Sequence, residues 1–284
     1  MTYSITNLGA MLLATDISQF PSVSRKTVRV IQYRGIDISS AHPEIEGKMG
    51  YAVGFEGLID FVSQKTERRE TIVSGVRRNV PMIPSIAIRE FIANALIHQD
   101  LSAEGSGPII EIFSNRIEIS NPGGPLGEIS RLIDDAPRSR NEKLARAMRD
   151  LNLCEERGRG LDKSITAIEA FSATEKINMP APSFRATTSG FVATLFGPRP
   201  FRELTKEDRM RACYQHCVLG YLKGEYMSNS TLRSRFSLED DDYQAVSAVI
   251  SDSLRNDLIV PADSRQGRRN SRYVPIWAKN NMTA

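Results

Sequence analysis

Between residues 85 and 125 the chain changes its apolar period, and that change limits the folds open to it. Ile88, Phe91, Ile92, Ala95 and Leu96 recur at helical spacing and define one apolar face. Ser85, just after Pro84, is placed to cap this helix. After a loop rich in glycine and serine, Ile110-x-Ile112 and Ile117-x-Ile119 alternate with a period of two on either side of Ser114-Asn115. The spacing predicts two strands joined by a tight turn, with Asn115 able to take a positive φ. Asn121-Pro122-Gly123-Gly124-Pro125 is then expected to be irregular. A helix followed by a strand pair, with more of both to come, calls for a mixed α/β (α+β) layer structure.

No period of about 20–50 residues repeats, which excludes solenoids and propellers. Three stretches of different texture succeed one another. The first, 1–82, is expected to be an α/β segment that packs on the second. It offers a short apolar helix at 8–13, a strand at 27–33, a helix at 55–66 and a basic, β-leaning run at 68–78. The second, 83–199, adds helices at 141–151 and 161–171. Strands at 184–188 and 191–196 flank Ser189-Gly190, a hairpin signal. Gly197-Pro198-Arg199-Pro200 is a strong breaker and marks the expected boundary. In the third stretch, 200–284, helices at 206–222, 230–236 and 242–256 precede β-like pieces at 258–260 and 273–276. Three helices and a β-hairpin in this order outline a winged helix-turn-helix.

Composition removes several classes. Apolar residues are 40% and charged residues 25% of the 284, which excludes wholesale disorder. No apolar run approaches the ~18–20 residues of a membrane span. The first ten residues lack a basic region ahead of an apolar one, so they do not read as a signal peptide. A cytoplasmic protein with no membrane partner is expected. Cys154, Cys213 and Cys217 form no even framework and are expected as reduced thiols. With His216 between them, Cys213 and Cys217 could face one ligand across a helical turn, but they fall short of a four-ligand zinc site and packing accounts for them better. The net charge is only +3, so its distribution matters more than its size.

On the first helix Glu90 and Asn94 are four apart and share a face nearly opposite the apolar stripe. A carboxylate there can orient and deprotonate a water. An amide oxygen one turn away can hold Mg²⁺ without cancelling phosphate charge. By themselves the two read more simply as decoration of a solvated helix face. The later pieces change that. In Asn121-Pro122-Gly123-Gly124 the missing side chains let a flat ring approach the backbone, while the Asn121 amide can meet the polar edge of adenine. Glu156-Arg157-Gly158-Arg159-Gly160-Leu161 then opens a helix, and its glycines expose N–H groups at the positive end of the dipole, which suits phosphates. Gly158 alone also fits the end of a preceding turn.

The runs Arg89-Glu90-Phe91-Ile92-Ala93-Asn94-Ala95-Leu96-Ile97-His98-Gln99-Asp100 and Arg116-Ile117-Glu118-Ile119-Ser120-Asn121-Pro122-Gly123-Gly124 resemble one known family. Ser139-Arg140-Asn141 and Glu155-Glu156-Arg157-Gly158-Arg159-Gly160 extend the resemblance, which reaches back to Ile5-Thr6-Asn7-Leu8-Gly9 and covers nearly the whole chain. The family is that of RecG-related transcriptional regulators, whose C-terminal ATP-binding domain is a divergent relative of the GHKL ATPases of gyrase, the Hsp-ninety chaperones, histidine kinases and mismatch-repair proteins. The resemblance implies a two-layer GHKL-like (Bergerat-type) α/β sandwich followed by a winged helix-turn-helix, with ATP and Mg²⁺ as ligands. It places Glu90 as general base, Asn94 as Mg²⁺ ligand, Asn121 where an aspartate binds adenine, and Gly158 and Gly160 in the phosphate loop. His98, Gly123 and Gly124 fall beside the nucleotide. An amide at Asn121 offers both donor and acceptor, so relaxed adenine selectivity is expected. The loop between the glycine motifs is short for an ATP lid, and binding is expected ahead of turnover, with ATP hydrolysis weak. Family members often carry a Schlafen AlbA-type N-terminal domain, and this chain begins where that domain would end.

The loop and hairpin at 261–279 hold Arg265, Arg268, Arg269, Arg272 and Lys279 against Asp263, a net +4. Arginines at a hairpin tip contact phosphates or enter a minor groove. Arg233 and Arg235 on the second helix add to this basic surface, and Gln244 and Ser247 on the third are placed for base edges. Glu239-Asp240-Asp241-Asp242 opposes DNA: these carboxylates suit a helix start and repel phosphates. The closing Arg272-Tyr273-Val274-Pro275-Ile276-Trp277-Ala278 also resembles the end of the family's winged helix. The expectation is an ATP-binding, nucleotide-dependent regulator with double-stranded DNA as partner and room for a homodimer. Its rival is a nucleotide-free scaffold whose winged helix binds protein.

Overall fold

The fold is given by a computed structural model. It describes residues 4–66, 68–73, 76–105, 107–136, 138–154, 160–263, 267 and 271–281. The chain divides into two compact units. The larger comprises Met1–Leu132, Ala136–Ser164 and Pro182–Phe196; the smaller comprises Ile133–Asp135, Ile165–Ala181 and Gly197–Ala284.

In the larger unit α1 (Asn7–Leu13), β1 (Arg29–Gln32), β2 (Ile45–Glu46) and α2 (Tyr51–Lys65) lead to a separate ribbon of β3 (Arg68–Val73) and β4 (Val76–Pro81). Then come α3 (Ser85–His98), β5 (Ile109–Ile112), β6 (Arg116–Pro122), α4 (Glu142–Asp150), the start of α5 (Gly160–Glu175), whose residues from Ile165 on belong to the smaller unit, β7 (Ser183–Ala186) and β8 (Gly190–Phe196). Among the described residues six strands make one mixed sheet in the order β2-β1-β5-β6-β8-β7, with β1 and β5 parallel and the other neighbouring pairs antiparallel. The stretch 1–82 is therefore woven into the central sheet, Val30 lying opposite Ile110.

Alternation builds the core. Ile117, Ile119 and Asn121 of β6 are buried, as are Ile110 and Ile112 of β5, while the intervening residues are half-buried. Among those intervening residues polar pairs form: the Tyr33 hydroxyl donates to Glu111 at 2.9 Å, and Arg116 pairs with Glu118 at 2.5 Å. Helix α3 packs against β6, and α2 against α3. It buries Ile88, Phe91, Ile92, Ala95 and Leu96, as their spacing predicts, and Ala87, Ala93 and Ile97 besides.

Three local expectations are corrected. Pro84, not Ser85, holds the N-cap position of α3, and no side chain caps it there. Pro84 supplies a fixed φ and an acceptor for the Ala87 N–H. Asn121 and Pro122 are not irregular, because β6 runs through them, pairing with Phe191 and Gly190. The path breaks at Gly123, whose φ is +91°. Asn115 is not among the residues of positive φ.

The smaller unit holds α6 (Lys206–Leu222), α7 (Asn229–Arg235), α8 (Tyr243–Arg255) and an antiparallel pair, β9 (Ile259–Pro261) and β10 (Tyr273–Pro275). Thr205 and Asp208 form a reciprocal capping box at the start of α6, and Ser228 and Thr231 another at α7. Cys213, Cys217, Leu232, Phe236, Val246, Ile250 and Ile259 share the core with Ala181. Burial pushes the Cys213 thiol up to about 12, so it packs as an inert hydrophobe. His216 turns from the two thiols to Glu169, Nδ1 to Oε2 at 2.8 Å. The break at 197–200 coincides with one division between the units, but another falls inside α5. Ala181 and Glu169 explain it: one joins the C-terminal core, the other its buried ion pairs.

Burial pushes the Glu169 carboxyl up, but the charges of His216, Arg235 and Lys223 and the hydrogen bond to His216 outweigh it, so the group lies below its ordinary 4.5. Burial likewise opposes, and Arg211 and Arg199 overcome, the shift of Asp208 below 3.8. Both folded values lie below the unfolded ones, so their stabilisation is complete above about pH 4.5 and is lost as pH falls through the folded values. Urea unfolding of the full chain should show constant stability from pH 7 to about 5 from these two groups, then a decline. Glu169→Gln should flatten the decline while lowering the plateau.

Candidate functional site

The sequence-predicted nucleotide residues all belong to the larger unit. Glu90 and Asn94 lie one turn apart on α3, both half-buried. Gly160 is the first residue of α5, and its bare Cα faces the Glu90 side chain. A Cβ built there would overlap the Glu90 carboxyl group, so the end of the Glu90 side chain lies directly against the bare Cα. A carboxylate is thereby set beside the positive end of a 16-residue helix. Gly158 lies outside the described residues.

The other end of α3 is closed by Ser139-Arg140-Asn141, whose role the sequence did not reveal. Asn141 donates through Nδ2 to the carbonyls of Ile97 and Gln99 at 2.9 and 2.7 Å. Arg140 donates from Nε to the His98 carbonyl at 3.0 Å and from Nη2 to the Gly124 carbonyl at 2.6 Å. These two side chains satisfy carbonyls that every helix leaves open at its C-terminus. Arg140 also ties the glycine turn to the helix. A side chain at Gly123 would strike Asp100 and the Arg140 guanidinium, so that turn too is packed closely against the end of α3. The Asp100 N–H donates to the Pro122 carbonyl at 2.8 Å. Only a capping role visible in three dimensions marks Arg140 and Asn141, because the α3 carbonyls they meet lie some forty positions away in sequence.

His98 is half-buried in the last turn of α3. Burial, with the Arg140 charge beside it, holds its imidazole below the ordinary 6.5, so it is neutral at pH 7. Hydrogen bonds from the Ser102 hydroxyl and N–H hold the Asp100 carboxyl low. Asn121 is 7% exposed, at the end of β6, and its Nδ2 donates to the Pro122 carbonyl at 3.2 Å. Phe184 stacks with Phe91 at 5.9 Å and with Phe191 at 6.2 Å, joining α3 to the β7–β8 hairpin.

The residues expected to meet DNA belong to the smaller unit and differ among themselves. Arg235 is corrected outright: its side chain is 1% exposed, pairs with Glu169 at 3.2 Å and donates to the Met179 carbonyl at 2.9 Å, so no phosphate can reach it. Arg233 is 13% exposed and is ion-paired with Asp240 of the acidic turn. Gln244 is exposed on α8, whereas the Ser247 hydroxyl accepts from Asn229 Nδ2 at 3.0 Å. Arg272 is exposed, with its guanidinium 5.7 Å from the Tyr226 ring centroid. Arg265, Arg268 and Arg269 lie outside the described residues. Among the described residues no three His, Cys, Asp or Glu side chains cluster as metal ligands, and no helix is long and apolar enough to cross a membrane.

The fold defines a mixed α/β protein built on a six-stranded sheet. Residues 105–195, about a third of the chain, match the family described as "Putative ATP-dependent DNA helicase recG C-terminal". That stretch contains Asn121, Gly123, Gly124, Gly158 and Gly160, and stops short of Glu90, Asn94 and His98. Among solved structures the chain is similar to the crystal structure of the DIP2311 protein from Corynebacterium diphtheriae, with 17% identity and a TM-score of 0.59. The likeness covers 98% of this chain and 55% of that one, so the chain spans about half the length of this neighbour. A search of curated proteins found no match.

Proposed function

We propose that the protein is a regulator that binds an adenine nucleotide in its larger unit and double-stranded DNA through its smaller one. In this reading the six-stranded sheet with α2 and α3 is a GHKL-like sandwich, and α6–α8 with β9 and β10 form a winged helix-turn-helix. The observation that carries the nucleotide half is the meeting of Glu90 with the bare Gly160 at the start of α5. The set also fits the ligands chemically. Glu90 and Asn94 offer hard oxygen donors of the kind Mg²⁺ takes, and the α5 N-terminus suits a phosphate. Because Glu90 brings its own negative charge to that place, a phosphate is expected to bind there only with a cation to screen it. Mg²⁺ held by Asn94 would supply that charge. Glu90 would then take the proton from a water at the phosphate, and neutral His98 and Asn121 would present hydrogen-bonding groups to the rest of the nucleotide. A regulator of this kind works through a difference in nucleotide affinity between two arrangements of the protein.

Calorimetry with ATP and ADP, with and without Mg²⁺, tests the nucleotide half. Wild-type protein should bind only with Mg²⁺. Asn94→Ala should weaken binding at least tenfold, and Glu90→Gln should retain binding, loosen its Mg²⁺ requirement and abolish any hydrolysis. Indifference of the wild type to both nucleotides at millimolar concentration would sink this half.

The acidic turn supports a second reading for the smaller unit. Asp240 and Asp241 are exposed ahead of α8, Arg233 is engaged by Asp240, and Arg235 is buried. A surface so arranged suits a protein partner better than a phosphate backbone. Failure of the wild type to bind duplex DNA at low salt would favour it.

A further inference from the structure

We infer that a cavity between the β1–β2 edge of the sheet and the last turns of α2 binds a small carboxylate with an apolar tail. It lies in the larger unit, and none of the residues expected to hold nucleotide lines it. The site is independent of the proposed function and stands or falls without it.

Three pieces of the sequence build this cavity. Val30 and Gln32, two apart, share one face of β1, and Ile45 stands opposite Val30 on β2. Phe61 and Lys65, four apart on α2, line the same space from the helix. The segment ahead of β2 completes the lining with His42 and Pro43. Two hydrogen bonds hold the pieces together. The His42 N–H donates to the Gln32 carbonyl at 2.7 Å, and Gln32 Nε2 donates to the Lys65 carbonyl at 3.4 Å. Val30 is buried, Phe61 is half-buried, and Pro43 and Ile45 are exposed. The cavity measures about 310 Å³. At the ~30 Å³ share of one water, that is room for roughly ten non-hydrogen atoms.

The chemistry of the lining selects the ligand. Apolar walls with a few convergent polar groups suit a small molecule, and here four of the lining residues are apolar. The charge they carry has one sign. Lys65 Nζ lies 5.5 Å from the centroid of the Phe61 ring, so an ammonium sits beside an apolar wall. Among the described residues no Asp or Glu lines the cavity, and none pairs with Lys65. The nearby acids are engaged elsewhere: Glu44 pairs with Arg29 at 3.1 Å, and Glu46 accepts from the Thr27 hydroxyl at 2.7 Å. The C-terminal end of α2 opposes an anion, but its Val62 and Lys65 carbonyls already accept from Thr66 and Gln32. A carboxylate on a short hydrocarbon satisfies both halves of this lining, with its charge on Lys65 and its tail on Ile45 and Phe61. His42 can add a second hydrogen bond.

The test titrates the full chain, with its isoleucine methyl groups labelled for NMR, with hexanoate and separately with hexanamide. The two have the same shape, and only the acid is charged. The Ile45 methyl signal, assigned by its loss in Ile45→Leu, reports occupancy of the cavity. Hexanoate should shift that signal saturably, and hexanamide should bind about tenfold more weakly for want of a charge-assisted contact. In Lys65→Gln the two compounds should bind equally, both at the hexanamide level. Because Lys65 is exposed, this variant should melt like the wild type. An Ile45 signal unmoved by hexanoate at tens of millimolar would overturn the inference, as would shifts confined to other isoleucines. Equal affinity of the wild type for acid and amide, or a Lys65→Gln variant that still prefers the acid, would show that Lys65 reads no carboxylate and would overturn it as well.

Discussion

Arg235→Ala should be among the most damaging single substitutions in the smaller unit, lowering stability by about 3–5 kcal/mol. The guanidinium is 1% exposed and its Nη2 has no partner among the described residues, so the site already carries one uncompensated desolvation. What offsets the burial is Glu169, held on its other side by His216. Removing the arginine leaves an enclosed carboxylate with the His216 imidazole and the charge of Lys223 to balance it. A thermal melt of the full chain should show the affected transition move down by more than about 10 °C. Replacing the pair should do less harm than breaking it: Arg235→Met with Glu169→Leu should recover most of the loss. If the single and double variants are equally unstable, the ion pair is not what the arginine contributes. DNA affinity corrected for the folded fraction should be unchanged, because the side chain never meets solvent.

Gly160→Val should abolish nucleotide binding, with a loss of at least a hundredfold expected from calorimetry. The cause has two parts that a second substitution separates. A valine side chain would occupy the space of the Glu90 carboxyl group and push that flexible side chain away from the start of α5. It would also cover N–H groups at the start of α5. Adding Glu90→Ala should relieve the first effect without restoring binding. If the double variant binds nucleotide like Glu90→Ala alone, the N-terminus of α5 does not receive phosphate.

Where a side-chain period was decisive, the fold was legible. The alternation Ile117-x-Ile119 and the stripe from Ile88 to Leu96 located β6 and α3, and the closing three helices and hairpin fell where expected. What failed had the opposite character. Asn121-Pro122 looks like a breaker, yet Phe191 and Gly190 of β8 hold it in the sheet, and sheet partners distant in sequence leave no local mark. Arg235 has the sequence context of a surface arginine. Nothing around it announces that Glu169, on another helix, will enclose it. The meeting of Glu90 and Gly160 was legible only as two separate chemical suggestions. That the Glu90 carboxyl lies against the bare Cα of Gly160 is a fact of packing.

The position of β1 between β2 and β5 has a consequence for how the protein can be cut and how it assembles. A fragment starting at residue 83 would lose a central strand and bare the hydrogen-bonding edge of β5, a template for aggregation. Nor can the six-stranded sheet be completed as the sequence after residue 83 emerges. Val30 must wait for Ile110, and α2, the ribbon and α3 all lie in the intervening loop. Closing a parallel pair across so long a crossover is slow and entropically costly, so the barrier to folding should lie at the joining of these two strands. The N-terminal segment supplies β1 to the sheet, and the autonomy of the stretch after residue 83 is lost with it.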